Sequence, residues 1–460
     1  MARVLELLRR ALPDLKIVTR TDDQSQYDQL TTPWSRPYGE VHHPCAVLRP
    51  RSTEEICAIV KLLRPLHYPL AVRSGGHDFW ARSTGPVKDA LILDIRDIDQ
   101  VEVNESNIAE IGGGANHHKV IKDLENCGRL AVTGGCPSVG YVGWACCGGY
   151  GLQSPLLGLG VDQIVGATLV NADGDTIEAD ENLLWGIRGA GTALGIITKL
   201  RIKTYPAQPV LAGSIAFNVE QSKQVLDRYL QLSIPRECGS YLCWVSSPEA
   251  GRMLIITLCW QGDLDEGARF GEVIRQLGSP IFSNIVAQPL SNFLDALTML
   301  SPPIRRLSTA RTQWMENLNQ ETQDALVQSA ETLPPLCLIG IHHMHHSGTT
   351  QSELSSSFGG RSATFMLELL GSSLADDEDH SAATDAVSWV GNLWHKLREH
   401  GMRRQYPAFL SPDQDFSESY SPQDWSRLME LKSIYDSGNF FRFGIPNLAP
   451  AITHNRHEPV

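Results

Sequence analysis

The sequence predicts an α+β chain made of two folding units, and three observations predict it. Ahead of residue 100, short apolar strands alternate with a capped helix and run into glycine turns. From Ile196 to Lys203 an apolar face alternates with a basic one, as in a half-exposed antiparallel strand. From about 210 to 415 glycine thins out and strand-like runs alternate with helical ones, which fits an antiparallel sheet backed by helices. A chain of 460 residues is also too long for one ordinary core. Tyr205-Pro206 and Gln208-Pro209 interrupt the pattern, so the units are placed at 1–206 and 207–415, followed by a C-terminal segment, 416–460.

Val4, Leu5, Leu8 and Leu12 share one face of an N-terminal helix. Glu6, Arg9 and Arg10 interrupt any secretory apolar core there, and Glu6 and Asp14 are unlike a transit peptide. The C-terminal Glu458-Pro459-Val460 matches no targeting signal, so a cytoplasmic location is expected. Val47 to Arg49 reads as a strand closed by Pro50. Ser52 or Thr53 then caps a helix with Glu54 and Glu55 in its first turn and Ile56, Ile59, Val60 and Leu63 along one face. Strands follow at Leu70–Val72, Ala90–Asp94 and Ile108–Ile111, and His117 to Leu124 reads as a helix. Asp173-Gly174 sits between Ala167–Asn171 and Thr176–Ala179, a hairpin signal. In the second unit the strands are Leu211–Phe217, Tyr241–Val245, Met253–Cys259, Leu336–Ile341 and Ala363–Leu370. The helices there are Asp263–Leu277 and Ala383–Leu397, and Trp425–Tyr435 forms a last amphipathic helix.

Composition narrows the function classes. A hydrophobic content of 42% with 20% charged residues is that of a soluble globular protein. The net charge of −13 argues against nucleic acid or an anionic membrane as partner. No apolar run reaches bilayer length. The ten cysteines form no CxxC pair and no regular disulfide spacing, so reduced, buried thiols are expected.

The chemistry gathers in two glycine-rich stretches. In Arg73-Ser74-Gly75-Gly76-His77, paired glycines let the backbone turn, expose N–H groups to an anionic ligand and deliver His77 ahead of Asp78, Phe79 and Trp80. A plain glycine turn carrying a surface histidine fits the same residues. Gly135-Cys136-Pro137-Ser138-Val139-Gly140, followed by Cys147-Gly148-Gly149-Tyr150-Gly151, suits no ordinary helix. It suits a loop laid flat on a cofactor, with N–H groups toward its pyrophosphate.

Together these two stretches resemble the FAD-linked oxidases that include berberine bridge enzyme and the 6-hydroxynicotine oxidases. The likeness is close from about 40 to 205 and resumes from Arg427 to Pro450. It implies a PCMH-type FAD-binding domain of two subdomains, into which an antiparallel-sheet-plus-helices substrate domain is inserted. Residues 416–460 would return to the FAD domain with a closing helix and strand. The resemblance further implies bicovalent FAD, bonded through His77 at the 8α-methyl and through Cys136 at C6. The other cofactor contacts it implies are Arg73, Ser74, Gly75, Gly76 and Asp78 in the first loop; Pro137, Ser138, Val139, Gly140, Gly143, Gly148, Gly149 and Gly151 in the second; and Gly195, Ile196 and Asn447 beyond them. Departures from the family pattern are visible. Only Asn447 remains of an Asn-x-Asn pair, and Trp144, Cys146 and Cys147 are bulkier than usual. Asp78 replaces a serine beside the imidazole.

Trp185 to Ile196 carries Gly189, Gly191 and Gly195, which superficially suggests a dinucleotide fingerprint. That motif needs a following helix, whereas the alternating strand from Ile196 follows, so the run is read as a family loop against the FAD. On the substrate side, Glu368 is a lone carboxylate in an apolar strand, placed by the resemblance as catalytic base. A solvent-facing position fits it equally. By the same register, counted from a strand at Tyr406, Tyr406 and Tyr150 stand near the flavin as further catalytic candidates, Tyr406 as the alternative acceptor of the substrate proton, with Ala408 in place of an expected Asn. His342-His343-Met344-His345-His346 fits pocket lining, structural roles or a metal. Alternation in a strand puts only two of these histidines on one face, and no carboxylate or Cys at ligand spacing completes a tetrahedral set, so no metal is expected and His345 is taken as substrate contact.

The resemblance implies oxidation of a small organic, secondary-metabolite-type substrate by hydride transfer to flavin N5, and reoxidation by O2 to give H2O2. Val139 stands where the family associates a small residue with oxygen access. The alternatives are a redox-neutral isomerase or cyclase on the same scaffold, a carbohydrate oxidase, or a flavin-binding protein without catalysis.

Overall fold

A first sheet forms from the shortest apolar runs. Its strands are β1 (Lys16–Val18), β2 (Ala46–Arg49), β3 (Leu70–Arg73) and β4 (Leu91–Asp94), in the order β1-β2-β4-β3. β2 and β3 run parallel to β4 and β1 antiparallel to β2. β2 and β4 are apolar almost throughout because both of their faces are covered. Helix α1 (Ala2–Ala11) sets Leu5 and Leu8 into this core. Helix α2 (Gln24–Thr31) starts on the Asp23 carboxylate, and α3 (Thr53–Leu63) on the Ser52 hydroxyl, which accepts the Glu55 N–H at 3.3 Å. The computed structural model describes residues 2–37, 43–247, 251–298, 306–350, 352–374 and 381–448.

The second sheet is antiparallel. Its strands are β5 (Val101–Val103), β6 (Ile108–Gly112), β7 (Ile164–Val170), β8 (Thr176–Glu178) and β9 (Ile196–Lys203), ordered β8-β7-β9-β6-β5. Gly174 turns the β7–β8 hairpin at φ +79°. β9 alternates less strictly than its sequence suggests, because the pairing with β7 shifts between Ile197 and Lys199 and leaves Lys199 as its one exposed residue. Helices α4 (His117–Asn126), α5 (Tyr141–Cys146) and α6 (Glu181–Ala190) pack with this sheet.

The short helix α5 lies between the two glycine turns of the second stretch, and one reading of this region is corrected. Trp185 to Ala190 lie in α6 rather than in a cofactor loop. α6 kinks at Arg188 and Gly189 (φ +145°), where a Cβ would strike Ser357 and Phe358 of the second unit. A strand follows, as expected.

The third sheet is the framework of the second unit. Strands β10 (Val210–Asn218), β11 (Cys238–Ser247), β12 (Gly251–Trp260), β13 (Arg306–Met315), β14 (Leu338–His343) and β15 (Phe365–Leu374) run β10-β12-β11-β14-β15-β13, all antiparallel. Arg36–Pro37 of the first unit adds a short parallel strand beside β13. Helices α7 (Ser222–Leu230), α8 (Leu264–Arg275), α9 (Gln320–Glu331) and α10 (Ser381–Arg398) cover one face. Alternation in β15 then decides where the site can lie. Phe365, Leu367 and Leu369 enter the helix-backed core, whereas Met366 joins Trp314 against Tyr150, Leu159 and Val161 of the first unit. The even-numbered face of β15 therefore looks at the glycine loops. The fit is close: a Cβ on Gly239 of β11 would stand 1.8 Å from the Leu152 carbonyl.

Helix α11 (Pro422–Tyr435) returns the chain to the first unit and packs Leu428 and Leu431 against Gly186 of α6. Buried Lys432 donates to the Ala193 carbonyl at 2.8 Å and to Asp436 at 2.7 Å, and Asp436 accepts the N–H groups of Phe440 and Phe441. After that the described residues run in turns, so the expected closing strand is replaced by a side-chain-pinned loop. No helix of the described residues is long and apolar enough to cross a membrane.

Candidate active site

His77 is delivered by the turn after β3. Gly76 takes φ +75°, and a Cβ there would lie 2.5 Å from Arg73 Nε. Burial and the Arg73 charge hold the imidazole neutral, with a pKa near 3. Arg73 does not reach out toward an anion. Its buried guanidinium donates to the carbonyls of Leu30 and Thr32 at the end of α2. Asp78 accepts from the N–H groups of Trp80 and Ser83 and from the Ser83 hydroxyl, so it shapes the turn and leaves the imidazole alone.

The two glycine loops touch backbone to backbone. A Cβ on Gly75 would stand 2.1 Å from Gly140 N, and one on Gly140 would stand 2.5 Å from both Gly75 N and the Ser74 hydroxyl. Only glycine at both positions brings the loops of His77 and Cys136 together. Ser74 donates to the Gly113 carbonyl at 2.8 Å, while the carbonyls of Val139 and Pro137 accept from the first two N–H groups of α4. Cys136 lies 3.6 Å from the Ser138 hydroxyl, and burial raises its thiol pKa, so the thiol is not pre-ionised. A cavity of about 850 Å³ runs along this seam and is lined by Trp34, Arg73, His77, Asn116, Lys119 and Ser138.

Facing the loops, the sheet presents Glu368. Its carboxylate accepts from the Tyr241 hydroxyl at 3.3 Å and lies 3.1 Å from His342 Nε2. The rings of Tyr241 and His342 stack at 4.4 Å, and Gly340, next to Glu368 in the sheet, leaves room for the Tyr241 phenol. Glu368 is thus directed inward, not to solvent. His342, beside the carboxylate, meets the ring of Tyr150, which places Glu368 across the seam from the second loop. Tyr406 is buried and its hydroxyl accepts the Gly149 N–H at 2.9 Å. Tyr150 donates to the His343 carbonyl at 3.4 Å and sets its ring edge against His342.

Residues 44–180 match the family model described as FAD binding domain. The chain is 29% identical to the FAD-linked oxidoreductase aurO of Gibberella zeae, over 95% of this chain and 87% of that protein. It is 32% identical to (R)-6-hydroxynicotine oxidase of Paenarthrobacter nicotinovorans, over 58% of this chain and 59% of that one. Berberine bridge enzyme from Eschscholzia californica superposes with a TM-score of 0.84 at 17% identity, covering 97% and 99% of the two chains. The chain thus carries an FAD binding domain and is similar over nearly its whole length to an FAD-linked oxidoreductase. Its fold is the PCMH-type FAD-binding fold with an antiparallel substrate sheet, and it is an enzyme.

The residues of this oxidoreductase fit FAD on their own account. Two loops whose closeness excludes any Cβ border a cavity of ligand size, and the Trp34 Nε1 and both ring nitrogens of His117 are buried without partners among the described residues. The structure places the remaining residues singled out in the sequence as follows. His345 lies with His343 and His346, at ring distances of 4.6 and 5.0 Å, and His343 points to Tyr229 on the helix-backed side. The histidine that reaches Glu368 is His342, because it shares the even-numbered face of its sheet partner Met366. Tyr406 opens a 3₁₀ turn rather than a strand, and its hydroxyl is engaged by the glycine loop. Asn447 is exposed, and Ile196 packs in the first-sheet core. A Cβ on Gly195 would strike Leu169 and the Val170 carbonyl, while Gly143 sits in α5 with open space where a Cβ would go. Among the described residues no group of three His, Cys, Asp or Glu is placed to hold a metal ion. Tyr241 and His342 were missed as partners of Glu368. The alternating pattern of their strands was the only available signal, and the pairing of β11, β14 and β15 is not written in it.

Proposed function

We propose that the enzyme is an oxidase of a small, largely apolar organic substrate of the secondary-metabolite type, with FAD held by His77 and Cys136. One observation carries the reading: the carboxylate of Glu368, fixed by Tyr241 and His342, faces the seam where the loops of His77 and Cys136 meet. When bound, FAD accepts a hydride from the substrate and passes two electrons to O2, which leaves as H2O2. Glu368 takes the proton released from substrate O–H, N–H or C–H at Oε1 or Oε2, and Tyr241 and His342 keep the carboxylate aimed. The neutral His77 imidazole would offer a nitrogen lone pair for attachment, and the Cys136 sulfur would bond in place of a ring hydrogen, with the thiol and ring protons leaving to solvent and the two electrons passing to the flavin and on to O2. Tyr150, whose ring meets His342 beside Glu368, sets an aromatic face next to the carboxylate, which suits a substrate with a ring system.

The test is to denature the purified holoprotein in acid and to assay peroxide with substrate candidates. A yellow pellet from wild type, colourless only in the His77→Ala/Cys136→Ala double variant, supports the two tethers; a colourless wild-type pellet removes them. Substrate turnover without peroxide, and without bleaching of the flavin under argon, would replace the oxidase by a redox-neutral isomerase.

A further inference from the structure

We propose that Trp34 is a positioning residue for His77, lying flat on the imidazole so that the ring stays turned and dry for bonding to the flavin. The proposal rests on the covalent reading above. The two rings are 4.6 Å apart with their planes 26° from parallel. Phe79 abuts Trp34 edge-on at 5.9 Å and 89°, and Phe409 backs Phe79 at 5.4 Å, so the indole is supported from behind. Its position is fixed through the backbone. Arg73, 5% exposed, donates to Leu30 and Thr32, four and two residues before Trp34, and passes beneath the turn only because Gly76 lacks a Cβ. Arg73 therefore ties the segment that carries Trp34 to the loop that carries His77. Both rings line the same cavity.

Attachment replaces one C–H of the flavin's 8α-methyl and the imidazole N–H by a C–N bond. Two protons leave to solvent, and the two electrons reduce the flavin, which O2 reoxidises with formation of H2O2. The imidazole must be neutral to supply its lone pair. The titratable and charged groups around it are Arg73, whose charge opposes protonation; His117, itself kept neutral by burial and by His77; and Asp78, whose carboxylate is turned to Trp80 and Ser83. Trp34 supplies the cover on one face. Without it water reaches the ring, and its pKa returns toward the ordinary value.

The experiment uses a Cys136→Ala background, in which only His77 can hold the flavin. Apoprotein is incubated with FAD from pH 5 to 8 and precipitated in acid at intervals. Flavin absorbance in the pellet gives the attachment rate, and peptide mapping gives the residue. The Cys136→Ala protein is expected to attach flavin at a nearly constant rate across this range. Adding Trp34→Ala slows attachment about tenfold at pH 7.5, and by about a further tenfold per pH unit below ~6.5, as a protonated imidazole accumulates. Trp34→Phe restores the rate to within about threefold, since a ring still covers the imidazole. Trp34→Leu, which keeps bulk without a flat face, replaces the alanine variant if that one does not fold. Equal rates with a flat pH profile, beside a yellow Cys136→Ala pellet, overturn the role of Trp34 and leave the tether standing. A colourless Cys136→Ala pellet overturns both.

Discussion

Between Arg73 and Gly151 the site is made largely of backbone; on the sheet opposite it is made of side chains. The loops meet where Gly75 lies against Gly140, and their polar contacts are mostly N–H and C=O groups. The sheet contributes Tyr241, His342 and Glu368 from three strands and holds them by hydrogen bonds between side chains. A backbone surface tolerates no added atom but is indifferent to chemistry. A side-chain cluster tolerates a change of size but not of proton inventory. Substitutions should therefore separate FAD retention from turnover.

The largest effect is expected from Gly75→Ala, which puts a methyl 2.1 Å from Gly140 N, where only backbone could yield. The loops should part at a cost of about 3 kcal/mol, and flavin should be lost altogether. Thermal melts and flavin content of the purified variant check this; full flavin content would break the contrast. Glu368→Gln should do the converse. It keeps size and fold, so flavin content stays at the wild-type level while kcat falls roughly 10²–10⁴-fold. An unchanged kcat would move the base elsewhere.

The seam between the units offers a third handle. Arg361 makes a two-point ion pair with Asp162 at 2.5 and 2.9 Å, with both side chains largely buried. Arg361→Ala leaves the Asp162 carboxylate uncompensated and should cost about 3–5 kcal/mol in urea unfolding, whereas the paired Arg361→Met/Asp162→Leu change should cost much less. Tyr241→Phe and His342→Gln each remove one partner of Glu368 and should lower kcat about tenfold, near the worth of one hydrogen bond to a charged group. The double variant should lose less than the product of the single losses, because both act on one carboxylate.

The same contrast explains what could be read in advance. Gly75, Gly76 and Gly140 are legible because a backbone constraint leaves a local mark: only one residue type fits. The capped helix from Thr53, the hairpin at Asp173-Gly174 and the strand that follows Gly195 are likewise local. Glu368 was legible as a lone carboxylate in an apolar strand. Its partners were not, since Tyr241 lies 127 residues away in the sequence and His342 lies 26 away, and only sheet order unites them. The sequence points to His345 and the structure to His342 because alternation fixes which residues share a face but not which face looks inward. The C-terminal loop misled for a related reason. Its anchor is the Lys432–Asp436 pair inside a helix end, where residues of a solvent-exposed type are buried.

His117 lets the contrast be tested by pH. Its ring is wholly buried between Tyr141 and Trp144, both nitrogens lack partners among the described residues, and burial with the nearby His77 lowers its pKa to about 3. The unfolded chain, with an ordinary value near 6.5, binds a proton that the folded chain refuses. His117 therefore costs nothing above about pH 6.5 by this route, and stability falls as pH drops toward 3, by about 1.4 kcal/mol per pH unit. His117→Leu removes the titration and the unpaired nitrogens while keeping similar bulk. Relative to wild type, it should gain about 2 kcal/mol more at pH 5 than at pH 7.5, measured by urea unfolding at the two values. If the gain is the same at both, the ring is reached by water and the loop side of the site is not the dry backbone surface described. If the gain is pH-dependent and flavin content is unchanged, the first unit's tolerance lies in apolar filling behind the loops, while their glycine contacts remain the part that cannot be altered.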